Sequence, residues 1–256
     1  MKTDIKDVTF LIPLRIDSHV RLENLNMTVK SLLKSFDTHI NVLEAASYRN
    51  GFVKKILGNK VDYLFIEDKD PVFYRTKYLN MMTHQTHTPY VGIWDSDVIV
   101  PKEQIIDSIN KLRQGVEIVY PYDGYFYDTT NVIRELYLQN QSTKFLLKHK
   151  EKMDLIYGNN AKGGAMLVNK DAYINAGMEN ERFYGWGSED TERFDRWNIL
   201  GLTIHRSKGP LFHLTHNRGN NSEYRSKYQL INTNKAWALT RFSTKTELLN
   251  DLFNAK

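Results

Sequence analysis

The chain has 256 residues, 41% hydrophobic and 25% charged, enough length and apolar content for a buried core of the ordinary globular kind. It contains no cysteine, which excludes disulfides and thiolate zinc sites, and no apolar run as long as a membrane span requires. The formal charge of +5 suits phosphate-bearing ligands or an anionic membrane surface. The basic residues are scattered and no nucleic-acid motif accompanies them, so nucleic acid is not an expected partner.

Residues 1–8 alternate charge and polarity, unlike a secretory signal, and a cytoplasmic location is expected. Residues 8–14 (VTFLIPL) then read as a buried strand. After a loop at 15–18, Leu22, Leu25, Val29, Leu32, Leu33 and Phe36 share one helical face. Strands are expected at 40–43 and 63–66, then at 90–94 (YVGIW), which runs straight into Asp95-Ser96-Asp97. Pro101 opens a helix bearing Ile105, Ile106, Ile109 and Leu112, and Gly115 closes it. This alternation implies an α/β fold with a mostly parallel central sheet flanked by helices, and ligands at the carboxyl ends of its strands.

The second half is less regular. An aromatic loop is expected at 120–127 (YPYDGYFY), one helix over 131–150 and a strand at 165–168. Asn169 can cap a short helix that stops at Gly177. A glycine and aromatic turn at 183–188 leads to a helix over 189–200, with Ser188 as its cap and Gly201 past its end. Short strands follow at 204–205 and 211–214, then a polar loop at 217–221 and a helical tail with a capping box at Thr244 and Glu247.

Three clusters can carry chemistry. Asp95 and Asp97 stand on a turn after a strand, where paired carboxylates can bind a hard cation such as Mn2+ or Mg2+ together with substrate phosphate. Alone, the tripeptide reads better as a solvated turn; the apolar strand before it and the apolar pair Ile99-Val100 after it are what point to a cation site. His213 and His216 could complete a mixed nitrogen and oxygen shell, or be one core and one surface histidine. In Trp186-Gly187-Ser188-Glu189-Asp190, the glycines flanking Trp186 permit a tight backbone and a mobile indole suited to a sugar face. Glu189 and Asp190 fall in a first helical turn, where the macrodipole favours ionised carboxylates; simple helix stabilisation also accounts for them. Arg15 and Phe73-Tyr74-Arg75 supply a guanidinium for phosphate and rings for a base.

In order along the chain, these segments resemble the β-1,4-galactosyltransferase superfamily and its bacterial relatives, including family 2 glycosyltransferases of the chondroitin-polymerase type. The resemblance spans roughly 8–216. It rests on Ile12-Pro13-Leu14-Arg15, Phe73-Tyr74-Arg75-Thr76-Lys77-Tyr78-Leu79-Asn80, Asp95-Ser96-Asp97, Lys162-Gly163-Gly164-Ala165, Tyr184-Gly185-Trp186-Gly187-Ser188-Glu189-Asp190 and His213-Leu214-Thr215-His216.

The resemblance implies a GT-A (Rossmann-like) fold over 1–256. Residues 1–115 would form the nucleotide-sugar half, 116–220 the acceptor and catalytic half, and 221–256 a helical tail. It also implies inverting transfer of galactose, N-acetylgalactosamine or a related hexose from a UDP-sugar. Pro13, Arg15, Phe73, Arg75, Lys77, Asp95, Gly163 and Gly164 would meet the donor. Asp97, His213 and His216 would hold Mn2+ or Mg2+. Asp190 would be the catalytic base, with Glu189, Trp186 and Gly187 at the acceptor and the loop after His213 as a lid. Ala161 and Lys162 replace an aromatic pair that in vertebrate members helps select galactose, so the smaller residue leaves room for an N-acetyl group. The implied acceptor is a glycan or lipid-linked glycan of bacterial surface polysaccharide synthesis, compatible with a peripheral position at the inner membrane face. A retaining transferase of the polypeptide N-acetylgalactosaminyltransferase kind, a non-catalytic sugar-nucleotide-binding protein and a metal-dependent phosphodiesterase are the competing readings.

Overall fold

The computed structural model describes residues 1–217, 219 and 223–254. Among these residues the elements run β1 (Thr3–Leu14), α1 (His19–Ser35), β2 (Phe36–Ala46), α2 (Phe52–Leu57), β3 (Asp62–Glu67), α3 (Arg75–Gln85), β4 (Tyr90–Trp94), β5 (Val98–Ile99) and α4 (Lys102–Arg113). They continue with β6 (Ile118–Tyr120), β7 (Phe126–Asp128), α5 (Asn131–Asn140), α6 (Thr143–His149), β8 (Asp154–Leu155), β9 (Ala165–Asn169) and α7 (Lys170–Asn175). The last are α8 (Glu189–Leu200), β10 (Ile204–Arg206), β11 (Leu211–His213), α9 (Lys227–Phe242) and α10 (Lys245–Asn254).

The large sheet has the order β10-β6-β9-β4-β1-β2-β3. Its strands are parallel except β9, which runs antiparallel to both β4 and β6. The apolar run of β1 lies inside it, between β4 and β2, and Val8, Phe10, Leu11 and Ile12 are fully buried, as expected where helices cover both faces of a sheet. Gly92 of β4 has a packing reason: a Cβ there would come within 2.6 Å of the Phe10 ring, which stands edge-on to Trp94 at 5.1 Å. A smaller sheet, β5-β11-β7-β8, stands beside the large one.

Several boundaries differ from expectation. Phe36 opens β2 instead of closing the first helix, and the 120–127 segment carries the end of β6 and the start of β7. The single helix expected over 131–150 is two, because Gln141 adopts a left-handed conformation (φ 50°) and Ser142 caps a new helix. Asn169 caps α7 as expected, and Gly201 ends α8 in the left-handed region. Ser188 does not cap α8 through its side chain; its own φ is 60°, and Glu189 instead accepts from the Gly187 N–H at 3.0 Å. The polar loop 217–221 falls partly outside the described residues. Among the described residues no helix is long and apolar enough to cross a membrane.

Candidate active site

At the carboxyl edge of the parallel strands lies a cleft of about 610 Å³, bounded by the ends of β1, β4 and β11, the loop before β9 and the start of α8. The Asp95–Asp97 turn forms its floor. The Asp95 N–H donates to the Gly164 carbonyl at 2.8 Å, and the Leu214 N–H donates to the Asp97 carbonyl at 2.7 Å. The Thr28 hydroxyl, on α1, donates to the Ser96 carbonyl at 3.1 Å. Two sheets and a helix thus fix the turn from three sides.

Asp97 is only 6% exposed, and both histidines present Nε2 to it. His216 Nε2 is 3.1 Å from Asp97 Oδ2, and His213 Nε2 is 3.6 Å from Oδ1. Each opposite ring nitrogen is anchored: His213 Nδ1 to the Asp128 carboxylate at 2.8 Å, His216 Nδ1 to the Asn217 carbonyl at 2.9 Å. Those partners hold a proton on Nδ1, so Nε2 is the nitrogen that would ligate a cation once its own proton is displaced, the usual support for a metal-binding imidazole. One ligand atom from each of the three residues falls within 4.8 Å of the others, so the donor set fits a cation of the Mn2+ or Mg2+ kind with coordination positions left for phosphate or water. Although burial opposes it, the two imidazoles hold the Asp97 carboxyl well below the usual range. Burial likewise opposes a proton on His213, but Asp97 and Asp128 raise it to about 9.

Asp95 takes no part in that cluster. Arg75 Nη2 donates to Asp95 Oδ1 at 2.7 Å. Arg75 Nη1, in a cleft-lining residue, is buried with no hydrogen-bond partner among the described residues, a donor available to an anionic ligand. Pro13, Arg15 and Phe73 form the wall beyond it. Arg15 is engaged already: Nε donates to the Ala45 carbonyl, Nη1 to the Asp70 carbonyl and Nη2 to Asp68 at 2.6 Å, while the guanidinium lies 5.7 Å from the Phe73 ring centre. Phe73 stacks on Tyr78 at 5.6 Å. Arg15 therefore braces an aromatic wall. Lys77, by contrast, is exposed on α3 and does not line the cleft.

Across the cleft, Gly163 and Gly164 present bare backbone. A Cβ on Gly163 would overlap Asp190 Oδ2, and one on Gly164, whose φ is +84°, would lie 2.8 Å from the Phe126 ring. Asp190 Oδ1 accepts from Arg193 Nη2 at 2.6 Å, and Arg193 is anchored by a buried pair with Glu179 at 2.7 Å. This chain of charges fixes the carboxylate's rotamer while its second oxygen lies over Gly163. Burial and the neighbouring Asp190 push the Glu189 carboxyl up to about 7. Trp186 meets the Tyr224 ring edge-on at 5.2 Å, and Tyr224 occupies the space a side chain at Gly187 would need. Ala161 is buried and its carbonyl accepts from Arg206 at 3.0 Å, while Lys162 turns toward the Phe194 ring at 4.4 Å.

Apart from Lys77 and Tyr74, whose ring packs edge-on against Tyr184, the candidate site residues singled out in the sequence line this one cleft. Sequence reasoning missed Asp128, Arg193, Glu179 and Tyr224. Asp128 carried no motif; it is the pairing of β7 with β11, opposite His213, that brings it to the imidazole.

The fold is that of the GT-A glycosyltransferases: a mixed α/β structure with a large, mostly parallel sheet flanked by helices. Residues 148–218 match a family model described as the N-terminal domain of galactosyltransferase. The Drosophila beta-1,4-galactosyltransferase 7 catalytic domain, solved with xylobiose, is 16% identical with a TM-score of 0.57 over 90% of this chain and 79% of that one. A mutant of that enzyme, solved with manganese, UDP-Gal and xylobiose, is 15% identical with a TM-score of 0.55 over 88% and 78%. Glucosyl-3-phosphoglycerate synthase from Mycobacterium tuberculosis, solved with Mn2+, UDP and phosphoglyceric acid, is 13% identical with a TM-score of 0.54 over 93% and 78%. No curated protein sequence matches the chain significantly.

Proposed function

We propose that this chain is a metal-dependent, inverting glycosyltransferase that moves galactose, N-acetylgalactosamine or a related hexose from a UDP-sugar to a hydroxyl of a glycan or lipid-linked glycan. The observation that carries it is the meeting, in one cleft, of a histidine–carboxylate cluster with a carboxylate pair at the start of α8. The first suits a diphosphate-bound cation and the second a hydroxyl to be deprotonated. The galactosyltransferase family match over 148–218 supports the same reading, since it ends just past His216.

Asp97, His213 and His216 would hold the cation, with Asp128 orienting His213. Bound there, Mn2+ or Mg2+ would supply Lewis-acid chemistry, offsetting negative charge on the diphosphate. Arg75 Nη1 takes a phosphate oxygen, while Asp95, held by Arg75, faces the donor sugar and ribose. The Arg15-braced Phe73 wall receives the uracil ring. Gly163 and Gly164 let the donor sugar approach bare backbone. Asp190 accepts the proton of the acceptor hydroxyl as that oxygen bonds to the anomeric carbon and the bond to the diphosphate breaks. A single displacement inverts the anomeric configuration. Glu189 and Trp186 orient the acceptor, and closure of the segment after His213 excludes water. The chain works as one catalytic unit, with 1–115 serving the donor, 116–220 the acceptor and 221–256 bracing the end of the cleft. A bacterial, cytoplasmic role in surface polysaccharide synthesis belongs to the same reading.

The test is UDP release from a panel of UDP-sugars with Mn2+, with and without chelator, for wild type, Asp97→Ala and Asp190→Asn. Release that chelator and Asp97→Ala both abolish is expected. Asp190→Asn should still bind donor and lower transfer by about 10²–10⁴-fold. Product NMR should give the inverted anomer; a retained one removes the single displacement. Metal-dependent donor binding without turnover on any glycan acceptor points to a sugar-nucleotide-binding protein. No binding at all sinks the reading.

A further inference from the structure

The helix α9 is amphipathic the wrong way round for a helix packed on a protein core. The face it turns inward is small and polar: Thr233, Ala236 and Thr240 are buried. Thr240 donates to Glu192 at 2.7 Å, Trp237 Nε1 to Asp195 at 2.9 Å, and Gln229 Nε2 to the Tyr184 carbonyl at 3.0 Å. The opposite face is apolar and open, with Tyr228 at 75%, Ile231 at 50%, Leu239 at 61% and Phe242 at 83% exposure. Together with Lys235, the spacing 228, 231, 235, 239, 242 follows the three- and four-residue steps of a single helical stripe. A helix that hydrogen-bonds its polar face to the protein and leaves its large side chains outside has a second apolar phase to meet.

The charge on the same helix identifies that phase. Lys227, Lys235 and Arg241 are all exposed, and no aspartate or glutamate lies within 227–242. Nearby carboxylates of α8, Glu192 and Asp195, are turned to the buried side and hydrogen-bonded there. An apolar stripe with Lys235 in its midst and Lys227 and Arg241 beside it fits the boundary of an anionic bilayer, where rings and aliphatic chains enter the acyl region and the long basic side chains reach up to the headgroups. A second copy of this chain fits poorly. Pairing the face with itself about a two-fold axis would bring Lys235 and its fellow cations against each other across an apolar seam.

We infer that α9 is a membrane-docking helix that lies in the surface of an anionic bilayer with Tyr228, Ile231, Leu239 and Phe242 inserted. Docking by this face does not depend on the chemistry proposed for the cleft, and it is read without donor or acceptor. Co-sedimentation of the full chain with phosphatidylcholine vesicles, with and without phosphatidylglycerol, tests it. Wild type should pellet with the anionic vesicles, weakly or not at all with the neutral ones, and less as salt rises. The double variant Leu239→Ser/Phe242→Ser should weaken vesicle partition on the order of tenfold or more. Lys235→Glu should weaken it about fivefold. Both changes are at exposed positions, so circular dichroism and thermal unfolding should match wild type. Wild type left in the supernatant with anionic vesicles overturns the inference, as does vesicle binding unaltered in both variants. A solution dimer that the double variant converts to monomer would assign the face to a second copy instead.

Discussion

His213 can ligate a cation through Nε2 only while its remaining proton stays on Nδ1, and the Asp128 carboxylate 2.8 Å away is what keeps it there. Asp128→Asn preserves the shape but offers a neutral amide that can turn its NH2 to Nδ1 and favour the other tautomer. Mn2+ affinity measured by isothermal titration calorimetry should fall about 10–100-fold, with the fold intact by circular dichroism. Unchanged affinity would mean that Asp128 does not orient the ring. Asp97, His213 and His216 could be picked out because each stands in a short ordered motif at the end of an apolar strand. Asp128 could not: it lies 85 residues from His213 and reaches it only through strand register. The same holds for Arg193, whose sequence position says helix but whose partners, Asp190 and Glu179, define its use.

At the scale of elements, α8 carries its acidic first turn at an energetic cost. Glu189 is held up to about 7 by burial and by Asp190, against an ordinary value of 4.5. Between those values the folded chain binds more protons than the unfolded one, so stability falls as pH rises from about 4.5 to about 7 and stays lowered above it. Glu189→Gln removes that ionisation. It should raise stability by about 1–3 kcal/mol above pH about 7, with the gain vanishing below about 4.5. Thermal unfolding of both proteins across that range checks it; a gain independent of pH would assign the effect to packing. The helix itself was legible from its periodicity and from Gly201. Its start was misread at one residue, since Ser188 sits in a left-handed turn where the Gly187 N–H donates to the Glu189 carboxylate. Likewise α5 and α6 read as one helix, because nothing in local propensity marks Gln141 as the residue that turns the chain.

For the molecule as a whole, the cation cluster bridges two sheets. Asp97 stands on the turn between β4 of the large sheet and β5 of the small one, and His213 ends β11 of the small sheet. A ligand that binds only this assembled state stabilises it by mass action. With Mn2+ at 100 times its dissociation constant, the gain is about 2.7 kcal/mol, or roughly 5–10 °C in Tm. Calorimetry should show that rise in wild type and none in Asp97→Ala; an equal rise in both would put the ion elsewhere. The parallel sheet was legible from the alternation of apolar runs and helical stripes in the first half. Of the small sheet only β11 was legible, as the strand expected at 211–214; the others were not, because they are two or three residues long and are specified by their partners. Nor was the direction of β9, which an apolar run of five residues cannot express. That reversal makes the two ends of β9 unequal. Its first residue, Ala165, pairs with the last of β4, Trp94, at the cleft, whereas Asn169 pairs with Tyr90 at the far edge of the sheet. Length changes before β9 therefore redraw the cleft wall at Gly163 and Gly164, while those after it are absorbed behind the sheet. A lineage exploring new sugars has one adjustable end of this strand and one silent end.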